Sequence, residues 1–257
     1  MEGKLYIVAT PIGNLGDITL RALETLKSVD FVLCEDTRVT QKLLNHYEIK
    51  TPTISYHQHS KDKKINEIIK LLEEGKNLAL VTDAGTPGIS DPGNWLVRHV
   101  VIPSDPDDEV GGVEGSLSEA QKRDPSTSPS EGFGRNDIGV IPIPGPSALT
   151  TALSISGFPT DKFLFLGFPP HKKGRKKFFQ EVVDAKHTVI FYESCHRIKK
   201  CITELGEILD KSAKMCICRE LTKKFETIYR GNISNVEEMD ILEKGEFVVV
   251  VSSRPKS

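Results

Sequence analysis

Short apolar runs alternate with amphipathic segments along most of the chain. The first run, Lys4–Ala9, is broken by a Gly/Pro turn, after which Leu20, Leu23 and Leu26 recur at helical spacing. Apolar runs that lack polar alternation predict parallel strands covered on both faces. Further strands are predicted at Phe31–Cys34, Thr53–Tyr56, Leu78–Val81, Gly139–Ile143, Phe163–Phe168, Thr188–Tyr192, Met215–Cys218 and Phe247–Ser252, and further helices around Glu67–Leu72, Trp95–Val100, Leu149–Ser156 and Ile202–Leu209.

The order of these elements predicts an α/β fold made of two α/β domains with a cleft between them. Phe158-Pro159-Thr160-Asp161 is typical of a linker, so we predict domains at 1–160 and 161–257. Residues 102–137 are rich in Ser, Pro, Gly and acidic residues and contain few large apolar ones. Such a segment buries too little surface to offset its ordering entropy, which predicts a disordered insertion in the first domain.

Composition and charge narrow the class of protein. The chain has 257 residues, of which 38% are hydrophobic and 27% charged, as in a soluble globular protein. Its net charge of −2 disfavours a general nucleic-acid binder. However, residues 101–138 contain nine acids and three bases, so the rest of the chain, with 31 bases and 27 acids, is mildly basic. That distribution is compatible with an RNA substrate.

No apolar run reaches membrane-spanning length, and the N-terminus lacks the apolar core of a secretory signal. Five cysteines without paired spacing indicate reduced thiols, and we expect a cytoplasmic protein that does not bind membranes. Cys216 and Cys218 lie in an apolar run and are predicted to be strand thiols. His57 and His59 lack a third ligand at a recognisable spacing, so no metal site is predicted.

The loop that follows Leu78–Val81 is the main candidate for ligand binding. It reads Asp83-Ala84-Gly85-Thr86-Pro87-Gly88 and continues to Gly93, with three glycines and two prolines in nine residues. Glycines let the backbone approach a ligand closely, and open α/β sheets bind ligands at the carboxyl ends of their strands. The alternative is a tight connection without a ligand.

Two other strand ends carry candidate chemistry. Glu35-Asp36-Thr37-Arg38 places two carboxylates and a guanidinium after a strand, although a simple helix cap gives the same pattern. Ser147 precedes a helix whose first N–H groups are suited either to a ligand or to a plain cap. Because no G-x-G-x-x-G occurs after the first strand, a Rossmann nucleotide site is disfavoured.

A basic run near the start of the second half is the strongest candidate for contact with RNA phosphates. It contains five cations within seven residues, namely Lys172, Lys173, Arg175, Lys176 and Lys177. The alternative is the solvated start of a helix. No array of aromatic residues for base stacking is visible in the sequence, which favours docking on the shape of the RNA.

Six motifs occur in a fixed order and together resemble one known family. They are TPIGN (10–14), EDTR (35–38), DAGTPGISDPG (83–93), PGPSA (144–148), FYES-x-HR (191–197) and RELTK (219–223). This set resembles the bacterial ribosomal RNA small subunit methyltransferase I family, of the tetrapyrrole-methylase-like class of S-adenosylmethionine enzymes. The resemblance covers nearly the whole chain apart from 102–137. Cys195 departs from it, because the family has proline at that place.

The resemblance implies a homodimer that binds S-adenosylmethionine in the cleft between its domains, without a Rossmann core. It also implies 2′-O-methylation of a cytidine ribose in the decoding region of 16S rRNA in the small ribosomal subunit. The cofactor-binding residues that it implies are Pro11, Asp83, Gly85, Thr86, Pro87, Ile89, Ser147, Ala148, Tyr192 and Glu220.

A ribose 2′-hydroxyl is a poor nucleophile until it loses its proton, so the reaction needs a base or a cation that stabilises the alkoxide. The candidate bases are Glu35, Asp36, Asp83, Glu193 and Glu220, and the candidate cations are Arg38, Arg197 and Lys223. We hypothesise that Glu35, Arg38 and Lys223 form a catalytic cluster on the substrate side. Two other functions stay open: an enzyme of the same class with a small tetrapyrrole-like substrate, and a non-catalytic module that binds a nucleotide-like ligand.

Overall fold

The computed structural model describes residues 2–57, 62–91, 93–101 and 138–252. The insertion predicted at 102–137 lies outside these residues, as does His59, one of the two histidines considered as metal ligands. The strands are β1 Lys4–Val8, β2 Phe31–Cys34, β3 Thr53–Ser55, β4 Leu78–Leu80, β5 Gly139–Ile143, β6 Phe163–Phe165, β7 Thr188–Ser194, β8 Lys214–Arg219, β9 Thr227–Asn232 and β10 Glu246–Val251. The helices are α1 Leu20–Ser28, α2 Thr37–His46, α3 Asp62–Glu73, α4 Gly93–Val101, α5 Ala148–Ser156, α6 Arg175–Asp184, α7 Ile198–Ile208 and α8 Ile233–Glu238.

The first sheet is parallel and has the strand order β3-β2-β4-β1-β5. One face packs on α3 and α4 through Leu33 and Leu78, and the other packs on α1 and α2 through Val32 and Ala79. Burial on both faces is the reason why the central strands β2 and β4 are continuously apolar. Because the strands are parallel, the loops after β1, β2, β4 and β5 leave from one edge of the sheet.

The second sheet is mixed, with the order β6-β7-β10-β8-β9. β6 pairs with β7 in parallel and the other neighbours pair antiparallel. Helices α6, α7 and α8 cover one face. The other face is covered by α5, whose Ala152 and Leu153 pack in one cluster with Ile190 and Val250. The predicted α/β architecture with two sheets is therefore confirmed, and α5 joins them, because it follows the first sheet and packs on the second.

Two elements of the second sheet's region were not predicted from the apolar pattern. β9 is an edge strand whose residues are half-buried or exposed, so it lacks a run of large apolar side chains. α8 follows it directly and contributes Ile233 and Val236 to the core. β7 also runs two residues further than predicted, to Ser194, because β10 pairs with it as far as Glu246.

Within the described ranges, none of the helices combines the length and the apolar character needed to span a bilayer.

Candidate functional site

A cavity of about 550 Å³ lies between the two sheets. Its volume is within the range of small-molecule sites. The first half of the chain lines it with Ile12, Glu35, Thr82, Asp83, Ala84, Gly85, Thr86, Ile89, Ser90, Asp91, Ser147 and Ala148. The second half lines it with Phe168, Tyr192, Glu193, Ser194, Cys195, Cys218, Leu221, Gly245, Glu246, Phe247 and Val248. The predicted convergence of the Asp83–Gly93 loop and the end of β7 on one cleft is thus observed.

The loop after β4 is held against the loop after β1. Thr10 and Gly85 exchange two backbone hydrogen bonds, with N–O distances of 2.9 and 3.1 Å, and the Thr10 hydroxyl donates to the Thr82 carbonyl at 3.0 Å. Gly85 has a φ of +88°, a conformation that side-chain-bearing residues rarely adopt. The Thr86 hydroxyl donates to the carbonyl of Pro146, which ties the loop after β5 to the same edge. These bonds hold the loops after β1, β4 and β5 together in one wall of the cavity.

The far part of this loop is organised by one carboxylate. Asp91 Oδ1 accepts hydrogen bonds from the backbone N–H groups of Gly88 and Gly93, both at 2.7 Å. Between these two glycines, Ile89 is 40% exposed although it lines the cavity. Asp91 therefore shapes the turn that presents Ile89 at the rim.

Carboxylates give the cavity a negative lining. Glu35 is half-buried and accepts a hydrogen bond from the Thr82 hydroxyl at 3.3 Å. Burial raises the pKa of Glu35, and the negative charges of Asp83 and Asp91 raise it further. No lysine or arginine is among the described residues that line the cavity. The site is therefore suited to a ligand that carries positive charge.

Glu193 also lines the cavity, but two arginines neutralise its charge. Its side chain is fully buried, and its two oxygens pair with Arg175 Nη1 at 3.2 Å and Arg197 Nη2 at 3.0 Å. Arg175 Nε also pairs with Glu204 at 2.7 Å. This network fixes the end of β7, and it makes Glu193 a poor candidate for a base.

The network corrects one prediction about RNA contact. The side chain of Arg175 is only 6% exposed, is paired with two glutamates, and has its guanidinium carbon 4.8 Å from the centre of the Phe179 ring. It is the first residue of α6 and faces the core, whereas the neighbouring cations of the run face solvent. Those exposed cations are Lys172, Lys173, Lys176 and Lys177.

Packed aromatic side chains lie on the side of the cavity that the second half of the chain lines. Tyr192 is half-buried, and its ring lies 5.1 Å from that of Phe165 and 5.3 Å from that of Phe168, between ring centres. Burial raises the pKa of Tyr192 above its ordinary value. Phe168 is 53% exposed and stands at the opening of the cavity.

A corner after β8 connects the second half to the first. Lys223 Nζ pairs with Glu220 Oε1 at 3.0 Å and with Glu246 Oε2 at 2.9 Å. Glu220 and Thr222 both have positive φ, and the Thr222 hydroxyl oxygen accepts a hydrogen bond from the Asn14 N–H at 3.1 Å. Strained backbone of this kind is concentrated at functional sites.

Glu35, Arg38 and Lys223, which were hypothesised to form a catalytic cluster, each interact with different residues. Arg38 is 87% exposed, and its guanidinium pairs with Asp36 at 2.6 Å, which lowers the pKa of Asp36 to about 2. Asp36 also caps α2, as the helix-cap interpretation predicted. Glu35 lines the cavity, whereas Lys223 lies outside the lining and pairs with the lining residue Glu246.

Most of the residues implied as cofactor-binding line the cavity. They are Asp83, Gly85, Thr86, Ile89, Ser147, Ala148 and Tyr192. The other three, Pro11, Pro87 and Glu220, are not part of the lining but are chain neighbours of residues that are. Ser147 occupies the N-cap position of α5 without a side-chain cap hydrogen bond, so its hydroxyl is available to a ligand.

Sequence reasoning missed the lining residues contributed by β10 and by the segment after β6. Phe247 and Val248 belong to the predicted strand Phe247–Ser252, Glu246 immediately precedes it, and Phe168 was assigned to the end of another predicted strand, so none of these residues was expected at the site. The one signal in the sequence that could have identified Glu246 is its charge, because it stands at the start of an apolar strand. Cys216 and Cys218 are free strand thiols, as predicted, with their sulfurs 3.8 Å apart, and Cys218 reaches the cavity.

Comparison with known proteins agrees with this geometry. The profile of the family described as Tetrapyrrole (Corrin/Porphyrin) Methylases matches residues 4–103 and 131–237. The ribosomal RNA small subunit methyltransferase I of Halalkalibacterium halodurans is 42% identical over 97% of this chain and 76% of its own length. That of Thermotoga maritima is 40% identical over 98% of this chain and 99% of its own length.

Solved structures share the fold at low sequence identity. A crystal structure of diphthine synthase superposes with a TM-score of 0.65 at 12% identity, covering 97% of this chain and 90% of its own. Uroporphyrin-III C-methyltransferase from Thermus thermophilus, solved in complex with S-adenosyl homocysteine, has a TM-score of 0.57 at 14% identity, covering 97% of each chain. The chain therefore has the fold of the tetrapyrrole methylases, and it belongs to that family and, within it, to the ribosomal RNA small subunit methyltransferase I family.

Proposed function

We propose that this chain transfers a methyl group from S-adenosylmethionine to the ribose 2′-hydroxyl of a cytidine in the decoding region of 16S rRNA. The observation that carries the proposal is the acidic cavity between the two sheets, in a chain about 40% identical to proteins named ribosomal RNA small subunit methyltransferase I. Family membership makes the chain a methyltransferase. The nucleotide and the oxygen that it methylates are the parts that need a test.

The cavity fits S-adenosylmethionine in size and in charge. A volume of about 550 Å³ holds a ligand of this size, and the carboxylates of Glu35, Asp83 and Asp91 complement its cationic sulfonium and ammonium groups. The first turn of α5, with the Ser147 hydroxyl, offers donors for its carboxylate. When bound, this cofactor supplies an electrophilic methyl group. The superposed uroporphyrin-III methyltransferase, which was solved in complex with S-adenosyl homocysteine, supports this choice of donor.

Glu35 is the residue best suited to accept the proton of the attacking hydroxyl. It lines the cavity, and its pKa is raised towards the value expected of a general base. Asp83 is the alternative in the same wall. Glu193 is committed to two arginines, and Glu220 to Lys223.

Exposed cations on both halves of the chain are suited to RNA. Arg38 uses Nε and Nη2 on Asp36, which leaves further N–H donors for a phosphate. The exposed lysines of the basic run would bind further phosphates. Lys223 is held by Glu220 and Glu246 and would counter charge that develops near Glu246. We further propose that the chain acts in the cytoplasm as a homodimer, with domains that divide near residue 160.

A methyl-transfer assay tests the proposal. The protein is incubated with tritiated-methyl S-adenosylmethionine and either small ribosomal subunits from a strain that lacks this modification or a porphyrin precursor. We expect label in the subunits alone, located by nuclease digestion at one cytidine 2′-oxygen. Glu35→Gln should abolish it, and Glu204→Gln, away from the cavity, serves as the control.

Each other outcome contradicts a specific part of the proposal. Label in the porphyrin precursor would assign the chain a tetrapyrrole substrate. Label on a base would refute 2′-O-transfer. No label with either substrate, together with calorimetric binding of the cofactor, would favour a binding module.

A further inference from the structure

An exposed aromatic ring at the opening of the cavity has no role in the function proposed above. Phe168 lines the cavity, yet 53% of the residue is open to solvent. One part of its ring packs on Tyr192, at 5.3 Å between centres. The remaining surface is free to contact a planar group that enters from outside.

The backbone around Phe168 is fixed on both sides. Gly167, with a φ of +64°, accepts a hydrogen bond from the Tyr192 N–H at 2.8 Å. Arg197 and Arg175 donate to the carbonyls of Pro169 and Pro170 at 3.2 and 3.3 Å, respectively. The backbone that carries the ring is therefore held in place before any ligand arrives, and the ring packs on Tyr192, which together lower the entropy lost on binding.

The surroundings of this ring combine an apolar rim with nearby positive charge. Ile89 is a second exposed apolar side chain that lines the cavity. The exposed Lys172 and Lys173 follow Phe168 by four and five residues along the same segment. Proteins bind unpaired nucleotides by combining exposed aromatic faces with cations that bind phosphates, and this segment carries both kinds of side chain within six residues.

We propose that Phe168 is the surface on which the base of the target nucleotide stacks after it has left the RNA stack. This inference rests on the proposed function and adds a residue that positions the substrate. Stacking on Phe168 holds the base at the rim, so that the attached ribose extends into the cavity towards Glu35. The lysines hold the flanking phosphates. The aromatic residue for base recognition, which the sequence did not reveal, is thus supplied by the fold.

Three substitutions test the stacking. Phe168→Leu keeps an apolar side chain without a flat face, Phe168→Ala removes it, and Phe168→Trp keeps an aromatic ring. We expect the leucine and alanine variants to raise KM for small ribosomal subunits about 5- to 150-fold, the range given by loss of one base–aromatic stack. The tryptophan variant should stay near wild type. The calorimetric Kd for S-adenosylmethionine should change less than about twofold in all three.

A matched control and a direct readout complete the experiment. Phe163→Leu changes another exposed phenylalanine, 42% exposed, at the opposite end of β6 from the cavity, and should leave KM unchanged. In a Trp95→Phe background, Phe168→Trp provides the sole tryptophan. Its fluorescence should be quenched by a single-stranded RNA oligonucleotide that contains the target cytidine, but not by the same oligonucleotide lacking that base.

The outcomes separate this inference from the proposed function. If the wild type methylates subunits and Phe168→Leu is equally active, stacking on Phe168 is refuted while the function stands. If the variants weaken cofactor binding instead of raising KM, Phe168 belongs to the methyl-donor site and the inference is wrong. If the wild type methylates nothing, the proposed function fails, and the quenching experiment still decides whether Phe168 binds a base.

Discussion

Loss of the Glu193 charge should be the most damaging single change to the second sheet. Glu193→Gln preserves the size of the side chain but removes the partner of two arginines. Arg175 and Arg197 are 6% and 17% exposed, respectively, so water does not replace the lost carboxylate. Arg175 Nη2 already has no hydrogen-bond partner among the described residues.

The magnitude follows from the charges in this network. Glu193 pairs with both arginines, and the substitution leaves Arg197, which is 17% exposed, without its carboxylate partner, whereas Arg175 keeps Glu204. Removing one partner of a buried ion pair costs about 3–5 kcal/mol. Native proteins are stable by only about 5–15 kcal/mol, so this is a large share of the total. At about 2–4 °C per kcal/mol, Tm should fall by about 6–20 °C.

Urea and thermal unfolding measure this loss, with Glu204→Gln as the control. Glu204 is 28% exposed, and its removal leaves Arg175 paired with Glu193, so we expect a loss of about 1 kcal/mol. If Glu193→Gln is as stable as Glu204→Gln, the two arginines find other compensation and the account of the network given above is wrong.

Three further predictions concern the cavity and its surroundings. A Cβ on Gly13 would lie 2.3 Å from Lys223 Cγ, so Gly13→Ala should destabilise the protein by about 1–3 kcal/mol and weaken cofactor binding in calorimetry, whereas Gly139→Ala, whose Cβ meets its nearest neighbour at 3.8 Å, should change neither. Folding raises the pKa of Glu35, so the folded state favours the protonated carboxyl. The stability that this protonated form contributes is present below the unfolded pKa of about 4.3 and is lost as pH rises through the folded pKa. Glu35→Gln should therefore be more stable than wild type at neutral pH, and urea unfolding should show this gain vanishing in acid; a gain that does not vary with pH contradicts the assignment. Replacing the exposed lysines of the basic run by glutamine should make the slope of log K against log salt for RNA binding shallower by about 0.7 per lysine that contacts a phosphate. An unchanged slope would mean that these lysines are solvated and do not contact RNA.

The sequence by itself determined the elements whose cause is local. Continuous apolar runs such as Phe31–Cys34 and Leu78–Val81 coincide with observed strands, because a strand buried on both faces has no polar positions. Gly85 and Gly88 marked a turn that needs positive φ. Asp36 marked the start of α2. Since parallel strands end at a common edge, the convergence of their loops on one cleft also followed from the sequence.

Only the tertiary structure decided which polar and aromatic side chains face the cavity and which face the core. Arg175 and Lys176 are neighbours in the same basic run, yet Arg175 is buried because Glu193 and Glu204, 18 and 29 residues further along the chain, meet it there. Phe168 ended a predicted strand, but the packing of its segment against Tyr192 places it at the opening. These outcomes depend on contacts between residues distant in sequence, and a pattern of period two or 3.6 contains no information about them.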